Sequence, residues 1–316
     1  MESEKLSVVL VSDAVFGTQL SVTIYSLIKS NKHFKEIDFY IIDAGLKNEQ
    51  KKLIETLILN NKFHVFFLKP PSLNNAITVG NGLNISTYYR LFLASLLPLQ
   101  LCKVMYLDAD LLIKDDLIDL WNTDLDDCSL AGIPDVQPMD VRKAVGLKQD
   151  QCYINAGVLL INLDYWRKNN LESRFLSYID ENGGKVKYND QGVLNHICSN
   201  SKKILSLRYN IMPEHLRYNA EQINKLMDFP FVSKEDLNTA KSNPAIIHFA
   251  GNNYKRPWAE KCTHPYTDEY RKIAEHFGFE TVLVQDCNKY RLRRFLDKLP
   301  FFIYASLRKI RRYIIN

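Results

Sequence analysis

Two aspartates one residue apart, Asp108 and Asp110, follow the apolar run "VMYL" in "KVMYLDADLLIKDDL". Carboxylates at that spacing repel one another, and at a strand end they are partly desolvated, so holding both ionised requires a positive partner. A hard divalent cation such as Mn²⁺ or Mg²⁺, which takes oxygen ligands, is one such partner. A surface turn is the ordinary alternative, because Asp commonly ends strands. Further along, "PAIIHFAGNNYKRPW" places His248 near the end of a second apolar run, followed by Gly251, Lys255, Arg256 and the Pro257-Trp258 pair. The histidine is either a satisfied core group or a third ligand. The lysine and arginine are the residue types that hold a phosphate.

The elements that must position these groups are legible from periodicity. "SVVLVSD", "IDFYIIDAG" and "FHVFFL" read as strands, with "LSVTIYSLIKSN" and "KNEQKKLIETLILNN" as helices between them. This βαβαβ order predicts an α/β fold whose mainly parallel sheet is flanked by helices and binds ligands at the carboxyl ends of its strands. Asp13 and Asp43 close the first two strands, Asp108 closes the one after the helix-like "STYYRLFLASLLP", and Asp135 ends "LAGIPD". All four could face one crevice. "KPPSLNNAITVGNGLN" reads as a long irregular loop of the kind that serves binding. No GxGxxG fingerprint follows the first strand and no Walker lysine motif occurs, which argues against dinucleotide and P-loop sites.

The chain of 316 residues, 46% hydrophobic and 24% charged, is long enough for one large domain or two ordinary ones. Its six cysteines form no CxxC pair, which argues against a zinc ribbon or disulfide scaffold and fits a reducing cytoplasm. The N-terminus has no secretory apolar region, and no apolar stretch reaches the about 18 to 20 residues of a spanning helix. The formal charge of +5 is uneven: residues 288–316 hold nine Lys and Arg against Asp297 alone, and the remainder is net −3.

These segments together resemble the retaining glycosyltransferases of family 8, the group containing bacterial lipopolysaccharide galactosyl- and glucosyltransferases and the glycogenins. The matching stretches are "SDAVFGTQLSVTIYSL", "ISTYYRLFLASLLP", "KVMYLDADLLIKDDLIDLW", "LAGIPD", "YINAGVLLINLDYWR", "YNDQGVLN", "YNIMP" and "HFAGNNYKRPW", in family order. The resemblance implies a GT-A fold that binds a UDP-sugar with Mn²⁺, Mg²⁺ being the other candidate. It implies Asp108, Asp110 and His248 as metal ligands and Asp13 as a nucleotide contact. Arg90 and Asp135 are then near the donor phosphates and sugar, Asn155 and Ala156 line the sugar pocket, and Gly251 belongs to the donor-binding loop. Asp190 and Gln191 are the pair beneath the anomeric carbon, and with Asp135 they form the implied catalytic group.

The chain departs from the family pattern HFxGxxKPW by two extra residues before Pro257, so either Lys255 or Arg256 could hold the diphosphate. Ala14 stands where polar residues are frequent, which thins the expected base contacts. Gln191 is a poor nucleophile, which favours a front-face route to retention over a covalent glycosyl-enzyme with Asp190 as the fallback nucleophile.

The tail "YRLRRFLDKLPFFIYASLRKIRRYIIN" divides at Pro300 into two amphipathic patterns, with Leu292, Phe295, Leu296 and Leu299 on one face and Ile303, Leu307, Ile310 and Ile314 on another. Flanking cations and aromatic residues suit an anionic membrane surface. A terminal helix pair packed on the domain is the plain alternative. A basic stripe can also serve nucleic acid, but no recognition motif accompanies it. The expected organisation is a catalytic domain over residues 1–264 and a helical extension over 265–316. The expected function is transfer of galactose or glucose from UDP-galactose or UDP-glucose to an oligosaccharide acceptor on lipid or protein, by a cytoplasmic enzyme peripheral to the inner membrane face. The competing reading is a non-catalytic UDP-sugar-binding partner or sensor.

Overall fold

The computed structural model describes residues 5–73, 77–79, 84–251, 256–277 and 295–307. Seven strands form the main sheet: β1 (Lys5–Ser12), β2 (Glu36–Asp43), β3 (His64–Leu68), β4 (Lys103–Leu107), β6 (Leu130–Pro134), β7 (Ile154–Asn162) and β8 (Lys202–Ile204). Their order is β3-β2-β1-β4-β7-β6-β8. Only β7 runs against the others, pairing antiparallel with both β4 and β6. A short antiparallel ribbon of β5 (Leu111–Ile113) and β9 (Ile246–His248) lies apart from it.

The inner strands β1, β2, β4, β6 and β7 read as largely apolar runs because both faces of the sheet are covered there, whereas the edge strands β3 and β8 are only partly buried. Val8, Leu10, Met105 and Leu107 point into one core with Leu20, Ile24, Leu27, Ile54 and Ile58 of the helices Gly17–Ser30 and Asn48–Asn60. Their neighbours Val9, Val104 and Tyr106 point into the other, against Trp166, Phe175, Ile179, Val193 and Leu194. Tyr270 and Ala274 of the helix Thr267–His276 join the first core, and so do the partly buried Phe301, Tyr304 and Ala305 of the tail.

The helix-like stretch at residue 85 is tighter than its pattern predicts: Ile85–Phe92 is a 3-10 helix, and only Leu93–Leu96 is α-helical. Side chains three apart eclipse in a 3-10 helix. That alignment buries Tyr88 and Leu91 completely, while Arg90 sits over Thr87 and donates to its carbonyl at 3.2 Å.

Candidate active site

The carboxyl ends of β1 and β4 open into a cleft lined by Asp13, Asn84, Arg90, Asp108, Asp110 and Arg256. Asp13 is held open to it by its own turn: Oδ1 accepts from the Val15 and Phe16 amides at 2.9 and 3.2 Å, and Oδ2 accepts from Asn84 Nδ2 at 3.0 Å. Asp43 does not take part. Its carboxylate caps the following turn through the Gly45 and Leu46 amides and pairs with Lys51, so one of the four strand-end carboxylates expected at the crevice serves local structure instead.

Asp108 and Asp110 stand between cations from opposite sides. Buried Arg90 places Nη1 3.0 Å from Asp108 Oδ1 and Nε 2.9 Å from Asp190 Oδ2, and Nη1 also donates to the Ala156 carbonyl at 2.5 Å. Its guanidinium stacks on Tyr106, whose hydroxyl donates to Asp108 at 3.0 Å. From the other side, His248 Nε2 lies 3.3 Å from Asp110 Oδ1 and 3.8 Å from Asp108 Oδ2, and Arg256 Nη2 lies 3.5 Å from Asp110 Oδ2. β5 and β9 hold this arrangement, pairing Leu111 with His248. Lys255 lies outside the described residues. Gly251, with φ +98°, is in a left-handed conformation beyond β9.

The charges follow from this packing. Burial pushes the Asp110 carboxyl up, but His248 and Arg256 outweigh it and hold it at about 2. Burial pulls His248 down, yet facing Asp110 and Asp108 leaves it raised. For Asp190 burial wins over Arg90, and the carboxyl is pushed up to about 6. Burial likewise raises Asp135 against the amide groups that donate to it.

Among the described residues, Asp108, Asp110 and His248 form a group able to hold a metal ion, with ligand atoms all within 4.8 Å of one another. The donor set of two carboxylates and an imidazole suits a divalent cation. The space for it exists because residue 157 has no side chain: a Cβ there would strike His248 and come within 2.7 Å of Asp108 Oδ2. A second such group, Glu36, Asp38 and His64, already has Lys5 Nζ 2.9 Å from Asp38.

Beside the cleft, β7 supplies Asn155 and Ala156. Its pairing with β6 shifts between Gly132 and Ile133, a bulge that takes Ala156 out of that ladder. The backbone groups freed this way bind side chains, Ala156 N–H donating to Gln191 Oε1 at 3.0 Å and its carbonyl accepting from Arg90. Gln191 Nε2 and Asn155 Nδ2 both donate to Asp135 Oδ2, at 3.0 and 3.2 Å. Asp190 and Gln191 begin the helix Asn189–Ile197, and Tyr188 and Asn189 before them adopt φ +66° and +53°. Successive non-glycine residues at positive φ are costly and persist only where the surroundings impose them.

Among the described residues, the sequence-predicted site residues are thus joined to this one constellation, except Gly251 on its loop and Asp43 in its turn. Asn84, Tyr106, Gly157 and Asn210 also belong to the site, although nothing in their residue types or in the segments around them, "YNIMP" for Asn210 and "NAG" for Gly157, points to a role.

A mainly parallel sheet flanked by helices, with a carboxylate pair at its switch point, is the GT-A type of glycosyltransferase fold. The chain belongs to glycosyl transferase family 8, whose sequence profile matches residues 7–262. It is 30% identical over 268 residues to a putative glycosyltransferase of Haemophilus influenzae, covering 83% of this chain and 76% of the relative. It is 27% identical to the lipopolysaccharide 1,2-glucosyltransferase of Escherichia coli K12, covering 86% and 78%. The galactosyltransferase LgtC, solved with donor and acceptor sugar analogues, superposes with a TM-score of 0.71 at 23% identity, covering 90% of this chain and 99% of LgtC. That likeness shows the fold.

Proposed function

We propose that this glycosyltransferase moves galactose or glucose, with retention, from a UDP-sugar to a growing glycan, with Mn²⁺ held by Asp108, Asp110 and His248. The observation that carries the reading is the convergence of those three groups around the space left by Gly157, next to a cleft ending in Asp13 and Arg256. A bound divalent cation supplies neutralisation of the diphosphate as UDP departs. Asp13, with Asn84, presents a fixed carboxylate to the nucleoside. Arg256, held between the Phe16 and Trp258 rings at 5.6 and 5.5 Å, brings a second positive charge to the phosphates.

The carboxylates beside the sugar site support the front-face route. Asp190 is buried against Arg90 at 2.9 Å and Asp135 accepts from the Asn155, Gln191 and Gln137 side-chain amides, so neither is a free nucleophile. Gln191 is fixed at both ends, its oxygen by Ala156 and its nitrogen by Asp135. Its neutral amide can stabilise positive charge on the sugar carbon while the departing phosphate takes the acceptor proton. Incubation with UDP-galactose, UDP-glucose, UDP-GlcNAc and UDP-GalNAc is expected to release UDP from one of the first two with Mn²⁺ and from none with EDTA. Turnover unaffected by EDTA, or no turnover together with no Mn²⁺-dependent UDP binding, overturns the reading.

We also place the enzyme at an anionic membrane surface, where a lipid-linked acceptor resides. No helix among the described residues is long and apolar enough to cross a membrane. The tail helix, residues 301–307, docks through Phe301 against Tyr218 at 5.3 Å, and Asp297 just before it pairs with Arg217. Its other side leaves Phe302 at 65% and Leu307 at 41% exposure, and the sequence continues with four cations at residues 308–312. The rest of the basic stretch, 288–294 and 308–316, lies outside the described residues. Phe302→Asp with Leu307→Asp is expected to abolish sedimentation with phosphatidylglycerol vesicles and to leave UDP binding intact, because the docking face is untouched. Unchanged sedimentation removes the membrane role.

A further inference from the structure

His248 Nδ1 faces Asn210 Oδ1 at 2.9 Å, and both residues are buried. An amide can face either way, so the direction of this bond has to come from elsewhere. It comes from the backbone. Gly157 N–H, which can only donate, points at the Asn155 side chain at 2.9 Å and makes the atom it meets the oxygen. That same oxygen is 3.0 Å from Asn210, which must therefore present its Nδ2 there and its oxygen to His248. An oxygen facing Nδ1 requires that nitrogen to carry the hydrogen. In the neutral ring, the form that can bind a cation, the Nε2 lone pair is then directed at the space between Asp108 and Asp110. The opposite end is anchored in the same way: Ala156 N–H makes Gln191 turn its nitrogen to Asp135, and Asn155 does likewise. Two consecutive backbone N–H groups at the β7 bulge thus set the direction of the Gln191, Asn155 and Asn210 amides.

We propose that Asn210 is a positioning residue that fixes His248 with its hydrogen on Nδ1 and its lone pair on Nε2, through a hydrogen-bond chain oriented by the Ala156 and Gly157 amides. The inference rests on the reading that Asp108, Asp110 and His248 bind a divalent cation. Outer groups of this kind set ring orientation and ligand basicity, and their loss weakens metal affinity by about 10- to 100-fold.

The test is calorimetric titration of Mn²⁺ into the full chain and its variants, with thermal melts to check folding. Asn210→Leu is expected to weaken Mn²⁺ binding by about 10- to 100-fold. Asn210→Asp still offers an oxygen to the Nδ1 hydrogen, so it is expected to bind Mn²⁺ as the unsubstituted chain does, while opposing the Asn155 oxygen at its other end. A purely packing role predicts the reverse of this rescue, because leucine fills the buried site and an added charge does not suit it. His248→Ala separates the two ideas. If it binds Mn²⁺ as well as the unsubstituted chain, the cation-site reading falls and the inference with it. If His248→Ala loses binding and a folded Asn210→Leu does not, the inference alone falls. A second measurement needs no variant at position 210: histidine ¹⁵N spectra of the unsubstituted chain with Cd²⁺, a diamagnetic probe, should show the His248 hydrogen on Nδ1. A hydrogen on Nε2 overturns the proposal.

Discussion

Arg90→Ala is expected to cost about 3–5 kcal/mol of stability at pH 8, the consequence of stripping one partner from a buried ion pair, or roughly 10 °C of melting temperature in a domain of this size. The guanidinium serves Asp108, Asp190 and the Ala156 carbonyl together, and alanine leaves all three without it. Asp190 makes the effect depend on pH. Burial already holds its carboxyl at about 6 against the pull of Arg90, compared with an ordinary 3.8, and without the arginine it rises further. Between the ordinary value and the raised one, the folded chain keeps a proton that the unfolded chain releases, so stability falls as pH increases through that window. The penalty is therefore smaller at pH 5 than at pH 8. Arg90→Lys should recover part of it, since a lysine keeps the charge but offers no planar fork to span two carboxylates. Scanning calorimetry at the two pH values decides; equal losses at both, or a shift under about 3 °C at pH 8, would sink the account.

The second large effect is expected from a single added methyl. Gly157→Ala meets no backbone obstacle, because its conformation is one that any residue adopts, but the new Cβ would strike His248 and come within 2.7 Å of Asp108 Oδ2 and 3.0 Å of Asn155 Oδ1. Overpacking of this kind costs about 1–3 kcal/mol. The strain is relieved by moving His248 away from Asp110, and Mn²⁺ affinity is expected to drop by roughly 10- to 100-fold. Gly132→Ala is the control. Its Cβ would approach Ile154 Cδ1 at 2.8 Å and Leu159 Cδ2 at 3.1 Å, apolar atoms of β7, so it should lower stability and spare the cation. Equal Mn²⁺ affinity in the two variants contradicts the role given to Gly157.

What could be read from the sequence was whatever depends on local pattern. β1 and β2 announced themselves because burial on both faces leaves no room for polar alternation, and Asp108, Asp110 and His248 because their types are out of place after apolar runs. What could not be read depends on contacts distant in sequence. Asp43 looked like a further crevice carboxylate, since nothing before folding tells a ligand-facing strand end from a turn cap; Lys51 and two backbone amides decide it. Asn210 is an unremarkable amide until Gly157 and Asn155 orient it. The bulge that frees Ala156 arises from the mismatch of two strands, a property of neither alone. The tail's pattern implies one apolar face per helix, whereas residues 301–307 have two, one docked through Phe301 and Tyr304 and one exposed at Phe302 and Leu307.

The little ribbon of β5 and β9 also gives the site an order in time. Synthesis runs from the N-terminus and domains take shape as they emerge. Every strand of the large sheet is complete by Ile204, and Arg90 precedes the two aspartates, while His248 and Arg256 come only with and after β9. A nascent chain that has already built its sheet therefore carries an acidic half-site neutralised from one side alone. The three-residue strand that delivers the histidine is the last clasp to close.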